Sequence, residues 1–246
     1  MTLAEILVVA ACLAAGGTLK GATGAGAPVL AVPAMAAIFD VKFAVVVMVV
    51  PNLLTNLWQG WRFREFRPRG AFVWSFAIAG AIGVTFGTAI LAALPQEVLS
   101  LVVACSVLGY VAFRLARPDW RIPFALGKVL SVPAGVLAGM LQGASGISAP
   151  VSISFLNALA LERSAFIATI SIFFAGMSAT QIPALATLGI LTAHSLLFSL
   201  AALVPLLAFM PVGSKLAERL PPRIFDRVIL VLLAGLAAKL FYDALV

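Results

Sequence analysis

Charged side chains are scarce in this sequence, which has 16 Lys and Arg, 9 Asp and Glu and one histidine in 246 residues. They make up 10% of the chain, about half the charged share of a soluble domain. Hydrophobic residues make up 63%, and mean hydropathy is +1.15. The composition excludes an ordinary soluble domain and predicts an all-α polytopic membrane protein, because the apolar runs are continuous rather than alternating.

Groups that could carry catalysis or hold a metal are also missing. The two cysteines, Cys12 and Cys105, lie in separate apolar runs with no disulfide or metal-ligand spacing. No nucleophile has a histidine partner, and no phosphate-binding loop occurs. We therefore predict that the protein is not an enzyme and uses no cofactor or metal. Active transport would depend on an ion gradient or a separate partner.

A Gly-rich stretch occurs twice in the chain. Residues 16–29 and 138–151 are identical at 8 of 14 positions, at an offset of 122, and later parts match at an offset of 126, where Gly87 returns as Gly213. Repeated units of this kind indicate internal duplication. The sequence thus predicts a single transmembrane domain, 1–246, made of a first repeat at 1–115, a cytoplasmic linker at 116–128 and a second repeat at 129–246.

Each Gly-rich stretch predicts a broken membrane helix. Glycine is costly inside a helix, whereas Pro28 and Pro150 suit the first turn of a new one. The first break is predicted at 20–26, after a helix at 3–19. The second break follows a helix predicted at 129–142, and a later helix is predicted at 192–212. A helix start offers free N–H groups to an anion, and paired interrupted helices are typical of transporter binding sites. The alternative is that the glycines serve only close helix packing.

Positive charge predicts the orientation. Twelve of the 16 Lys and Arg lie in 62–69, 114–128 and 215–227, so these segments should be cytoplasmic. Equivalent loops then face opposite sides, which predicts two inverted repeats of about five helices each, with both termini outside. The fold class is therefore eight to ten membrane helices with Gly-rich helix breaks. The first two helices of each repeat either span or form a re-entrant hairpin, and the sequence does not decide between them.

Lys20 is the most informative side chain, because apolar sequence flanks it on both sides. An ionisable residue within a membrane helix indicates a functional site, and a cation would complement an anionic substrate. The alternative is that Lys20 extends to water at an interface. Its counterpart in the second repeat is Gln142, so a positive charge is not required in both copies.

Hydroxyl and amide side chains add to this site. Thr23, Ser145 and Ser148 lie in the breaks, where they could ligate an anion or cap the following helix. Asn52, Asn56 and Gln59 are spaced i, i+4, i+7, which puts three amides on one face of an apolar helix. Polar groups within lipid need partners, so they either join helices or line the substrate path. The second repeat has Ser178 and Gln181 at the last two of these positions.

Residues 19–26 (LKGATGAG), 51–59 (PNLLTNLWQ) and 141–146 (LQGASG) resemble the TauE/SafE family of sulfite exporters. The resemblance extends over nearly the whole chain, through its length, duplicated halves and both Gly-rich motifs. It implies a bacterial inner-membrane permease for sulfite, sulfonates or other small sulfur-containing or organic anions. Ser148 replaces the glycine of the first copy, Gly26, so the halves should contribute unequally.

We therefore expect a secondary transporter that moves a small anion across the bacterial cytoplasmic membrane by alternating access. The alternatives are a passive anion channel and a non-transporting scaffold subunit. Expected partners are the anion, the lipid bilayer and a coupling ion, either proton or sodium; a homodimer is compatible with the glycines, and no nucleic acid is expected despite the net charge of +7. The candidate substrate-binding residues are Lys20, Gly21, Thr23, Gly24, Gly26, Asn52, Asn56, Gln59, Gln142, Gly143, Ser145, Gly146, Ser148, Ser178 and Gln181.

Overall fold

The computed structural model describes residues 2–117, 119–219 and 222–245, with side chains in 2–117, 119–216 and 230–242. The described chain is helical and contains no β-strand, so the predicted all-α class is confirmed. The helices are α1 (Leu3–Thr23), α2 (Ala27–Ala36), α3 (Val41–Arg62), α4 (Phe72–Ala93), α5 (Gln96–Ala116), α6 (Phe124–Ser145), α7 (Ser152–Ala158), α8 (Arg163–Thr187), α9 (Ala193–Ala201), α10 (Leu203–Arg219) and α11 (Pro222–Leu245).

Seven helical segments in the described residues are long and apolar enough to cross a membrane. They are α1, α3, α4, α5, α6, α8 and the combined α9–α10 segment, Ala193–Leu216. Two further apolar helices, α2 and the Leu230–Tyr242 part of α11, are shorter. The total of eight to ten membrane helices, and the choice between spans and re-entrant hairpins, stay predictions.

The first helix break is shorter than predicted. Helix α1 continues through Lys20 and Gly21 to Thr23, whereas it was expected to end at residue 19. Gly21 stays helical because its bare Cα packs against the backbone of Met210 in α10, where a Cβ would collide. The helix ends at Gly24, whose φ of 78° lies in the left-handed region that favours glycine.

The helices around the second break also differ from the prediction. Helix α6 begins at Phe124 because Pro123 holds extended backbone directly before it, so the helix takes up the end of the predicted 116–128 linker. It ends at Ser145 rather than at residue 142. Helix α7 begins only at Ser152, because residues 149–151 form a turn.

The helix predicted over 192–212 is divided in two. Helix α9 ends at Ala201 and α10 begins at Leu203. The interruption has a local cause, since Pro205 has no N–H to donate to the carbonyl of Ala201. The two parts still form one apolar segment.

Glycines hold α1 against α10 at backbone distance. Added Cβ atoms at Gly17 and Gly21 would collide with the carbonyls of Leu206 and Met210 in α10. In the other direction, a Cβ at Gly213 of α10 would collide with the backbone of α1. Small residues at these positions let two membrane helices approach closely.

Helices α6 and α4 pack in the same way. Added Cβ atoms at Gly139 and Gly143 would collide with the carbonyls of Gly80 and Val84, and one at Gly87 would collide with the backbone of α6. Each contact is an α1–α10 contact shifted by 122 residues on one helix and by 126 on the other. Helix α1 of the first copy thus packs against α10 of the second copy in the same way that α6 of the second copy packs against α4 of the first.

We predict that Gly143→Ala destabilises the protein, because its Cβ would meet the rigid backbone of α4 rather than a movable side chain. Overpacking of this kind costs about 1–3 kcal/mol. Gly109→Ala is the matched control, since Gly109 lies in α5 with open space around it. The apparent melting temperature in detergent should fall for Gly143→Ala and stay constant or rise for Gly109→Ala. Equal melting temperatures for the two variants would contradict the backbone contact.

Candidate functional site

A threonine hydroxyl bonds backbone groups on both sides of the first helix end. Thr23 Oγ1 donates to the Leu19 carbonyl at 2.9 Å and accepts from the Ala25 N–H at 3.3 Å. Gly24 and Gly26 beside it have φ angles of 78° and 94°. The hydroxyl therefore satisfies backbone groups at the end of α1 and in the turn that follows.

The second break is built in the same way. Ser145 Oγ donates to the Leu141 carbonyl at 2.7 Å and accepts from the Ile147 N–H at 3.3 Å, while Gly146 has a φ of 73°. The sequence left Thr23 and Ser145 open between ligating an anion and capping the following helix. The capping interpretation named the wrong helix, because both hydroxyls bond the end of the helix that precedes the break.

Ser148 contacts the following helix instead. Its Oγ lies 3.0 Å from Oγ of Ser152, the first residue of α7, and Ser152 Oγ donates to the Ser148 carbonyl at 3.0 Å. Both side chains are buried. Ser148 therefore organises the start of α7.

A chain of hydrogen bonds joins the end of α1 to α3 and α8. Lys20 Nζ donates to Asn56 Oδ1 at 2.8 Å, Asn56 Nδ2 donates to Asn52 Oδ1 at 2.8 Å, and Asn52 Nδ2 donates to Ser178 Oγ at 3.0 Å. All four side chains are at most 3% exposed. We call Lys20, Asn56, Asn52 and Ser178 the amide ladder. Its donors all point away from Lys20, so each bond polarises the next.

Lys20 does not extend to water. Its side chain is 1% exposed and its ammonium contacts an amide oxygen, and among the described side chains no carboxylate pairs with it. The alternative of an interfacial lysine is therefore wrong. Lys20 lies in the last turn of α1, where the negative end of the helix dipole favours a cation.

A small cavity lies beside the other end of the amide ladder. Asn52, Gln142, Gly146 and Gln181 line it, together with apolar residues of α3. Its volume is about 10 Å3 for a water-sized sphere, which is room for about one water molecule. Gln142 Oε1 and Gln181 Nε2 are buried without a protein partner, so the cavity presents one free acceptor and one free donor.

These polar residues form two equivalent groups. Lys20, Asn56 and Gln59 of the first copy correspond, at an offset of 122, to Gln142, Ser178 and Gln181 of the second. Like the two glutamines of the second group, Gln59 has a buried side-chain atom, Oε1, without a protein partner. We call the two groups the charged half-site and the neutral half-site, and Asn52 joins them through its bond to Ser178.

The helical turns before the two breaks both lie beside α3, whereas the break glycines have separate neighbours. Gly24 lies against Ile167 of α8, and Gly146 lies against Val32 of α2 and Val45 of α3. The structure thus connects Lys20 and Gln142 through α3 amides, and Gly26 lies against Leu19 and Val29 of its own hairpin.

A basic cleft of about 970 Å3 leads to the charged half-site. Gly21, Gly24 and Gln59 form part of its lining. Three cations from three helices share this lining, at the end of α3, the start of α8 and late in α10: Arg62, Arg163 and Lys215. An opening lined by one sign of charge raises the local concentration of the opposite ion, so the cleft attracts anions.

Arg163, the first residue of α8, contacts the end of α1. Its Nη2 donates to the Ala22 carbonyl at 3.2 Å, one of the last carbonyls of α1. It also lies between the basic cleft and a second cavity of about 340 Å3, which Thr23 and Gly26 line. No sequence pattern indicates this contact, because the partner is a backbone carbonyl in the other repeat.

An all-helical membrane protein with two broken helices and a buried polar site between them has the features of a membrane transporter. The family model described as Sulfite exporter TauE/SafE matches residues 8–240. The chain therefore belongs to this transporter family, and the resemblance drawn from the Gly-rich motifs is confirmed. No curated protein and no solved structure matches the chain.

We predict that Asn56→Leu destabilises the protein by about 1–3 kcal/mol, because it removes the acceptor of the buried Lys20 amino group. Lys20→Met in the same chain should remove most of that penalty, since no unpaired buried donor then remains. The measurement is a double-mutant cycle of unfolding free energies in mixed micelles. A coupling of about 1–3 kcal/mol is expected; additive effects would contradict the Lys20–Asn56 bond.

Proposed function

We propose that the protein is a secondary transporter that moves a small anion across the bacterial cytoplasmic membrane by alternating access. The observation that carries this proposal is the buried Lys20 ammonium, which has an amide acceptor but no carboxylate partner among the described side chains. A buried charge without a counter-charge is costly. A bound anion would supply the missing counter-charge.

The substrate class follows from the chemistry of the two half-sites. The charged half-site offers a cation beside amide groups, and the neutral half-site adds the hydroxyl of Ser178 and the amide of Gln181. Such donors suit the several acceptor oxygens of a small oxyanion. Together with the family description, this favours a sulfur oxyanion, a sulfonate or a related organic anion.

The basic cleft would be the cytoplasmic entrance to this site. Arg62, Arg163 and Lys215 line its wall, and Gln59 and Gly21 lie where it reaches the charged half-site. The neutral half-site, by contrast, encloses only the small cavity. In this proposal an anion enters from the cleft, contacts Lys20 and Gln59, and reaches the other half-site when the helices move.

Two inverted repeats would produce that movement. The reciprocal glycine contacts support this relation, because α1 packs on α10 as α6 packs on α4. Each tight pair joins a broken helix of one repeat to a helix of the other. Rocking of one pair against the other would open the half-sites in turn, as in transporters with inverted repeats.

The proposed orientation places the basic cleft in the cytoplasm and both termini outside. Support comes from Arg62 and Lys215, which belong to two separate basic segments and line the same cleft. Positive loops are retained on the cytoplasmic side of a membrane.

We predict that a small sulfur anion stabilises the purified protein and exchanges across proteoliposomes containing it. Sulfite, thiosulfate, sulfate, taurine, sulfoacetate and short carboxylates are tested for a saturable rise in melting temperature, since a ligand of the folded state stabilises by mass action. The active anion is then followed by isotope exchange. Lys20→Met and Gln59→Leu should each lower apparent affinity at least about tenfold.

Lys42→Met is the matched control, because Lys42 Nζ bonds the Ala92 carbonyl in α4, away from both half-sites. Binding and exchange should survive this change. Unsaturable flux would favour a passive channel. Absence of binding and of flux for every anion would instead favour a scaffold subunit.

We expect cysteine labelling in spheroplasts to report the orientation. Glu97→Cys and Arg69→Cys, each in a chain with Cys12 and Cys105 replaced by serine, are treated with a membrane-impermeant maleimide. Glu97 and Arg69 are both exposed, so access alone does not distinguish them. Labelling of intact spheroplasts at position 97 only, with position 69 reacting after permeabilisation, agrees with the proposal. The opposite pattern would overturn the orientation.

A further inference from the structure

We infer that Lys20 carries a coupling proton, which moves in the same direction as the anion. This inference rests on the proposed function, since it assigns a second role to the same half-site. According to this inference, Lys20 is protonated when the anion is bound and neutral when the carrier is empty. Proton and anion then cross together, one of each per cycle.

The contacts of Lys20 support a change of charge at this position. An ammonium has three N–H donors, and among the described residues one of them has an acceptor, Asn56 Oδ1. The amide oxygen can accept from a neutral amine as well as from an ammonium. The amide ladder therefore persists when the proton leaves, and the cost of a buried, unpaired charge disappears.

The charges around Lys20 also favour loss of its proton when no anion is bound. Helix α2 has no titratable side chain, and the charged residues that α3, α8 and α10 present to the cleft are Arg62, Arg163 and Lys215. These three cations disfavour a further positive charge on Lys20 and attract an anion. Glu162, the residue before Arg163, is exposed. The remaining charged residues of α10 are Glu218 and Arg219, whose side chains lie outside the described ones.

Binding of the anion and binding of the proton must then strengthen each other at this site. A bound anion stabilises the ammonium, and the ammonium strengthens anion binding by the same free energy, because linkage is reciprocal. The proton comes from water on the side where the anion enters and returns to water where the anion leaves. The empty carrier returns with a neutral Lys20, and a monovalent anion crosses together with its proton, so neither step then moves a net charge across the membrane.

The difference between the two repeats sets the number of protons that cross with each anion. Gln142 stands at the position equivalent to Lys20, and a glutamine amide does not take up a proton at physiological pH. Among the described side chains of the two half-sites, Lys20 is the one group that titrates. One proton should therefore accompany each anion, and transport of a monovalent anion should be electroneutral.

The test uses proteoliposomes with 35S-labelled methanesulfonate, thiosulfate and sulfite as probes. Methanesulfonate and thiosulfate do not form a neutral weak acid that could leak through the lipid. Two quantities are measured for each probe: exchange at equal pH, and accumulation driven by an acidic outside. With a monovalent anion the wild type should accumulate about tenfold per pH unit, with matching acidification inside and no dependence on sodium or on membrane potential.

Lys20→Arg separates coupling from binding, because arginine keeps a positive charge but does not release its proton. The ratio of pH-driven accumulation to exchange should fall at least about tenfold in this variant. Lys20→Met should lose both activities, and Lys42→Met should keep the wild-type ratio. If Lys20→Arg does not fold, wild-type proton movement still decides the inference.

Different results overturn different parts of the account. Wild-type exchange without accompanying proton movement overturns the coupling inference but leaves the proposed transporter intact. Lys20→Arg with full pH-driven accumulation also overturns it, because the proton would then bind elsewhere. Absence of exchange for all three probes contradicts the proposed function for sulfur anions, and the coupling inference with it.

Discussion

The structure depends on one buried contact, the hydrogen bond from Lys20 Nζ to Asn56 Oδ1. An ammonium inside a membrane protein needs an acceptor, and the α3 amides supply one that carries no charge. Helix α1 must also end near Lys20, so that the negative end of its dipole lies close to the cation. Gly24 makes that end possible by adopting the left-handed conformation. The helix break and the buried lysine therefore depend on each other.

The duplicated halves share a framework but differ in chemistry. Thr23 and Ser145 end their helices through the same pair of backbone bonds, and the glycine contacts repeat at fixed offsets. Within that framework one copy has Lys20 and the other has Gln142. The charged half-site opens to a wide basic cleft, whereas the neutral half-site surrounds a cavity of about 10 Å3. A single charge in a duplicated site gives one anion a favoured position without placing two cations in the membrane.

Much of this arrangement could be predicted from the sequence. The i, i+4 spacing of Asn52 and Asn56 placed both amides on one face of a helix, and the structure bonds them in sequence to Lys20. The end of α1 was missed because Gly21 stays helical through its contact with Met210, far along the chain. The contact of Arg163 was not predicted for a similar reason, since its partner is the carbonyl of a residue 141 positions away. Local patterns predicted most of the elements, whereas a contact between the repeats carried α1 past its predicted end.

The central claim is that a small anion binds beside Lys20, and anomalous diffraction from crystals soaked in selenite tests it most directly. Selenite is an oxyanion whose selenium can be located by its own scattering. We predict an anomalous peak whose position places a selenite oxygen within hydrogen-bond distance of Lys20 Nζ or the Gln59 amide in the wild type, and loss of that peak in Lys20→Met. A peak confined to Arg62, Arg163 and Lys215, unchanged in the variant, would contradict a binding site at the broken helix.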